Sequence, residues 1–127
     1  MSLNILIVDD SATVRAVIAR TLGHAGIAIG SVLHAANGRE ALDVLATQWV
    51  DLIITDIHMP EMDGIAMIGK LKSDPVLKEI PVIVVSTEGS ASRMNEVEDL
   101  GVIAYLRKPF TPEKISEILQ TTLGVQS

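Results

Sequence analysis

Five short apolar runs, none of them alternating apolar with polar residues, constrain the fold of this chain more than any other feature. Asn4-Ile5-Leu6-Ile7-Val8 stops at Asp9-Asp10, and Leu52-Ile53-Ile54-Thr55 stops at Asp56. Pro81-Val82-Ile83-Val84-Val85 stops at Ser86-Thr87. Ser31-Val32-Leu33-His34-Ala35 is weaker, and Ile103-Ala104-Tyr105-Leu106 gives way to Arg107-Lys108-Pro109. A strand with one wet face alternates polar with apolar residues. Unbroken runs therefore predict strands covered on both faces, as in parallel sheets.

Helix patterns fill the gaps. Ser11 caps a segment carrying Val14, Val17, Ile18 and Leu22 that ends near Gly23 or Gly26. Asn37-Gly38-Arg39-Glu40 reads as a capping box ahead of Ala41, Leu42, Val44 and Leu45. Asp63-Gly64 precedes Ile65, Met67, Ile68 and Leu71, and Asp74-Pro75 breaks the pattern. Ser90 leads toward Met94, Val97 and Leu100, closed by Gly101. Thr111-Pro112 puts proline at the first helical position, before Ile115, Ile118, Leu119 and Leu123. Five strands alternating with five helices predict a single α/β domain over residues 1–127, built on a parallel sheet.

Composition removes several functions. The 127 residues include one Trp, one Tyr and one Phe, too few for stacking on bases or a flavin. A net charge of −6 opposes phosphate backbones, so no nucleic-acid binding is expected. There is no Cys, which excludes disulfides and thiolate metal sites. No run of about 18 apolar residues and no signal-like start exist, so a cytoplasmic domain without membrane contact is expected.

The polar residues that stop the runs carry the chemistry. Asp9, Asp10, Asp56, Ser86 and Lys108 all fall at the carboxyl ends of strands, the edge where open α/β sheets build sites. Three carboxylates brought together repel, so a proton or a cation must compensate; oxygen ligands without Cys or clustered His suit Mg²⁺, or Mn²⁺ in its place. His24, His34 and His58 show no ligand spacing. A lysine and a hydroxyl beside such a cluster suit a phosphoryl group on a carboxylate nucleophile. Trp49 is expected to be a half-buried anchor before the third strand, and Glu96, Glu98 and Asp99 a solvated helix face.

Four motifs in order, Val8-Asp9-Asp10-Ser11, Thr55-Asp56 through Asp63-Gly64, Val85-Ser86-Thr87 and Tyr105-Leu106-Arg107-Lys108-Pro109-Phe110, resemble the CheY-like receiver domain of two-component response regulators. The resemblance covers residues 4 to about 123. It implies a flavodoxin-like doubly wound (βα)5 fold, its five parallel strands in the order 2-1-3-4-5 with helices on both faces. It also implies roles: Asp56 the phosphoacceptor, Asp10 a direct Mg²⁺ ligand, Asp9 its acidic partner acting through water, and the main-chain carbonyl of His58 a further ligand. Lys108 would pair with the phosphoryl group, Ser86 be the switch hydroxyl, Tyr105 the aromatic switch, and Lys108-Pro109 a cis bond. Ser86 stands where threonine is commoner in the family, and His58 fills a position that varies. The implied function is a signalling switch phosphorylated by a histidine kinase. Its output partner would bind the face formed by the fourth helix, fifth strand and fifth helix. Two rivals come from other classes. One is a Mg²⁺-dependent phosphotransferase or hydrolase with an aspartyl-phosphate intermediate. The other is a flavodoxin-like electron carrier, which the acidic first loop and scarce aromatics oppose.

Overall fold

The computed structural model describes residues 2–87 and 91–123, the side chains of residues 91 and 123 aside. Its elements run β1 (Leu3–Val8), α1 (Ala12–His24), β2 (Ile29–Ala35), α2 (Gly38–Leu45), β3 (Leu52–Thr55), α3 (Gly64–Lys72), β4 (Val82–Ser86), α4 (Ala91–Asp99), β5 (Ala104–Arg107) and α5 (Pro112–Leu123). The strands form one parallel sheet in the order β2-β1-β3-β4-β5. This is the doubly wound, flavodoxin-like arrangement expected above.

The unbroken apolar runs follow from this layering. Successive side chains of a strand point to opposite faces, and here both faces are dry. Ile5, Ile7, Leu52, Ile54, Ile83, Val85 and Leu106 pack with Ile18 and Leu22 of α1 and Ile115 and Leu119 of α5. The intervening Leu6, Val8, Ile53, Val82 and Val84 pack on the other face with Ala41 and Leu45 of α2, Met67, Ile68 and Leu71 of α3, and Val97 of α4. Each fully buried Val, Leu or Ile contributes about 1.5–3 kcal/mol, so these two layers dominate the stability.

The helix starts obey their capping residues. Ser11 accepts the Val14 N–H at 3.2 Å, Asn37 the Glu40 N–H at 2.9 Å, Asp63 the Ala66 N–H at 2.8 Å and Thr111 the Lys114 N–H at 3.2 Å. Gly26, at φ 77°, turns the chain out of α1 in the left-handed region where glycine carries no Cβ penalty. The expected start of the fourth helix at Ser90 lies outside the described residues.

Differences from the sequence expectation are local. β1 and β2 begin one and two residues early. β4 sheds Pro81, which has no N–H for the ladder, and takes in Ser86. β5 runs one residue later, through Arg107. A single 3₁₀ turn, Leu77–Glu79, follows the Asp74-Pro75 break and was not expected. Trp49 is not a half-buried anchor but 54% exposed. The neighbouring Val50 is fully buried and packs in the core instead, so of these two neighbours the smaller faces inward.

Candidate functional site

Register alone brings the acidic residues together. Val8 pairs with Thr55 at the ends of β1 and β3, so the next residues, Asp9 and Asp56, emerge side by side where the strand order reverses. The Asp56 N–H donates to the Val8 carbonyl at 2.9 Å and the Asp9 N–H to the Ala35 carbonyl at 3.0 Å, extending the ladder one step into the loops.

Asp9 is 2% exposed, and both its carboxylate oxygens are engaged. Oδ1 accepts the Ser11 N–H at 2.9 Å and Oδ2 accepts from Lys108 Nζ at 2.8 Å. Asp56 is similarly divided: Oδ1 accepts the Ile57 N–H at 2.7 Å, while Oδ2 faces Lys108 Nζ at 3.2 Å. Asp10 is exposed, and one oxygen from each of Asp9, Asp10 and Asp56 lies within 4.8 Å of the others.

Lys108 arrives from the far side of the sheet. Its N–H donates to the Ser86 carbonyl at 3.0 Å and its bond to Pro109 is cis. Burial is the largest single influence on its ammonium and pulls the pKa down. The hydrogen bond to Asp9 and the charges of Asp56 and Asp9 together outweigh it and hold the pKa above the ordinary lysine value. The lysine is thus a fixed cation. One ammonium against three carboxylates leaves negative charge for a further cation, and the all-oxygen donor set fits a hard divalent ion such as Mg²⁺.

Ser86 is fully buried at the end of β4, and Tyr105 is half-buried on β5. Val84 pairs with Tyr105 and Ser86 with Arg107, which puts Ser86 and Tyr105 diagonally adjacent on one face of the sheet. On that face Tyr105 packs among the residues around Val84 and Val97. His58 is exposed two residues beyond Asp56.

The sequence profile described as the response regulator receiver domain matches residues 5–120. This chain belongs to that family. The chemotaxis protein CheY1 of Helicobacter pylori is 41% identical over 123 residues, covering 96% of this chain and 98% of the relative. A chemotaxis protein CheY homolog of Campylobacter jejuni is 38% identical over 126 residues, covering 98% and 95%. The solved structure of the chemotaxis response regulator CheY4 of Vibrio cholerae superposes with a TM-score of 0.81 at 34% identity, covering 95% of this chain and 98% of that one. Receiver domains of this kind act in phosphorylation-based signalling, taking phosphate from histidine kinases and acting on output partners. Among the described residues of this receiver domain, no helix is long and apolar enough to cross a membrane.

Three residues of the site escaped the sequence reading. Gly64 opens α3 hard against the acidic loop: its N–H donates to the Ile57 carbonyl at 2.8 Å, and a Cβ there would lie 2.1 Å from the Asp56 carbonyl oxygen. Gly38 opens α2 against the same loop, where a Cβ would lie 2.9 Å from the Met62 carbonyl oxygen. In the sequence alone both stand only as helix starts. Arg15, four residues after the Ser11 cap, reaches back to donate to the Asp9 carbonyl and to His34 Nδ1. Helical side chains lean toward their own N-terminus, so an arginine one turn beyond a cap was the available signal.

Proposed function

We propose that residues 1–127 form one receiver domain that takes a phosphoryl group from a histidine kinase onto Asp56, in a Mg²⁺-dependent reaction, and passes the change to an output partner. The observation that carries this reading is the position of Asp56. Its carboxylate lies within 4.8 Å of those of Asp9 and Asp10 and 3.2 Å from the Lys108 ammonium.

A carboxylate oxygen of Asp56 attacks phosphorus; the P–N bond to the donor histidine breaks, and its electron pair returns to the ring nitrogen. Little else is asked of the protein, because phosphoryl transfer is mostly positioning and charge neutralisation. The Ile57 N–H orients one oxygen of the nucleophile and leaves the other for the reaction. Lys108, held cationic by its surroundings, stabilises phosphoryl oxygen charge, and the Ser86 hydroxyl supplies a further donor. The carboxylates of Asp10 and Asp56, the His58 main-chain carbonyl and Asp9 through water would hold Mg²⁺, with Mn²⁺ as a substitute. When bound, the ion neutralises the phosphoryl oxygens. The domain catalyses only its own phosphorylation and dephosphorylation.

An apolar groove of about 350 Å³ runs beside Lys108, between Val14, Val17 and Ile18 of α1 and Pro109 and Phe110 before α5. It suits the apolar flank of a donor whose phosphohistidine must reach Asp56. Output is assigned to the face of α4, β5 and α5, where Tyr105 lies next to Ser86, and the setting to the cytoplasm.

The test is intact-mass analysis after incubation with acetyl phosphate and Mg²⁺. One phosphoryl group, lost on hydroxylamine treatment, is expected on the native chain and none on Asp56→Asn. The same addition on Asp56→Asn would move the nucleophile elsewhere.

A further inference from the structure

We infer that Arg15 is a positioning residue of the metal site, acting through the backbone of the turn that carries Asp10. The inference rests on the Mg²⁺-dependent reading above. Among the described residues no hydrogen bond holds the Asp10 carboxylate, in contrast to those of Asp9 and Asp56. Its placement therefore depends on the peptide from which it hangs.

That peptide is held from one side by Arg15. One terminal N–H of the guanidinium donates to the Asp9 carbonyl, and the Nε–H donates to His34 Nδ1 at 3.2 Å. The peptide group is planar, so fixing the Asp9 carbonyl oxygen also fixes the direction in which the Asp10 nitrogen and Cα leave it. His34 belongs to β2, where it pairs with Ile7 of β1, so the arginine ties the turn to the sheet rather than to another loop. The guanidinium is planar and permanently charged, and its N–H groups diverge from separate nitrogens at a set angle, a fork that the single nitrogen of a lysine does not reproduce.

Charge alone argues the opposite outcome. A cation near a site for a divalent cation repels it, so if Arg15 acted only as a charge, its removal would tighten Mg²⁺ binding. Positioning predicts that its removal loosens binding, because a ligand that is free to swing must be ordered when the ion arrives. The two roles differ in sign.

The experiment is a Mg²⁺ titration of the full chain followed by amide NMR at residues 9–11 and 56–58, with Arg15→Ala, Arg15→Lys and His34→Ala alongside. Both arginine variants are expected to raise the Kd for Mg²⁺ by about tenfold, the size usual for groups that orient a metal ligand. His34→Ala should raise it less, in the same direction. A role in stability only would lower the melting temperature and leave the Kd of the folded protein where it was. Binding that tightens, or stays within about twofold in both arginine variants, overturns the inference while leaving the metal site standing. If Arg15→Ala does not fold, Arg15→Lys and His34→Ala carry the same expectations. Absence of Mg²⁺ binding by the unsubstituted chain would overturn the Mg²⁺ reading itself, and this inference with it.

Discussion

α3 and α4 cover the same face of the sheet but are anchored very differently. α3 buries Gly64, Met67, Ile68 and Leu71, and its first residue touches the backbone of Asp56. Among the described side chains of α4 only Val97 is buried, and Asn95, Glu96, Glu98 and Asp99 face solvent. The acidic loop is therefore mounted on an element that is costly to displace. The segment beside Ser86 and Tyr105 is held by few apolar contacts, the physical mark of a region that opens or shifts at low cost. One fold thus supplies a stiff seat for chemistry and a softer neighbour at the β4–β5 side of the sheet.

The sharpest way to break that comparison is to load each helix anchor in turn. Gly64→Ala is expected to destabilise the domain by about 3 kcal/mol or more, because the new methyl meets backbone that cannot yield without moving Asp56. Leu71→Ala should cost about 3 kcal/mol through the cavity it leaves. Val97→Ala on α4 should cost about 1.5 kcal/mol. Urea unfolding of the three variants measures the ranking. Equal losses at Leu71 and Val97 would mean that α4 is as firmly seated as α3.

The sheet was legible because each strand's pattern is a direct consequence of being dry on both faces. The caps Ser11 and Asn37 were legible because a side-chain acceptor has one local task, three residues long; Asp63 and Thr111 do the same task but stand in the sequence only as neighbours of a helix start. The cluster of Asp9, Asp10 and Asp56 could be placed because parallel strands deliver their C-terminal residues to one edge. Close approach was not legible. Nothing in the string Asp63-Gly64 shows that the glycine faces the Asp56 carbonyl, since the contact depends on the path of the loop between them. The link from Arg15 to His34 likewise joins residues whose proximity exists only after β2 has paired with β1. Trp49 departs from expectation because hydrophobicity alone does not decide which of two neighbours faces the core: Val50 is fully buried and Trp49 is exposed.

Lys108 sharpens the comparison from the other direction, since it follows β5 on the soft side yet binds both carboxylates of the stiff side. Lys108→Gln is expected to cost about 2 kcal/mol, the scale for removing one partner of a partly buried charged hydrogen bond. The pH dependence follows from the direction of its shift. Its folded pKa lies above the unfolded one, so the pairing stabilises the fold fully below the ordinary lysine value and is lost as pH rises through the raised value. The gap in unfolding free energy between the native chain and Lys108→Gln should therefore be level from about pH 7 to about pH 9 and close only at higher pH. A gap that closes between those two values would contradict the raised pKa.

The smallest expected effect tests whether the soft side responds to the stiff one. A phosphoryl group on Asp56 presents oxygens that need donors, and the proposal has Ser86 supply one. Ser86 sits diagonally beside Tyr105 on the face that α4 covers, and under that proposal a shift of its hydroxyl toward the site would leave space into which the ring could turn. A hydrogen bond to a charged phosphoryl oxygen contributes about 1.5 kcal/mol at the low end, which changes the ratio of two conformations about tenfold. That is enough to move a population if the two states already lie within a few kcal/mol. Ser86→Ala should still accept a phosphoryl group on Asp56, since nucleophile, lysine and acidic cluster are untouched. It should also show smaller shifts around Tyr105 and α4 than the native chain. The measurement is a beryllofluoride titration followed by amide NMR, with shifts beside Asp56 as the internal standard for occupancy. Distant shifts of equal size in both proteins would remove the hydroxyl from the transmission. Distant shifts absent from both would make α4 as unresponsive as α3, whatever its burial.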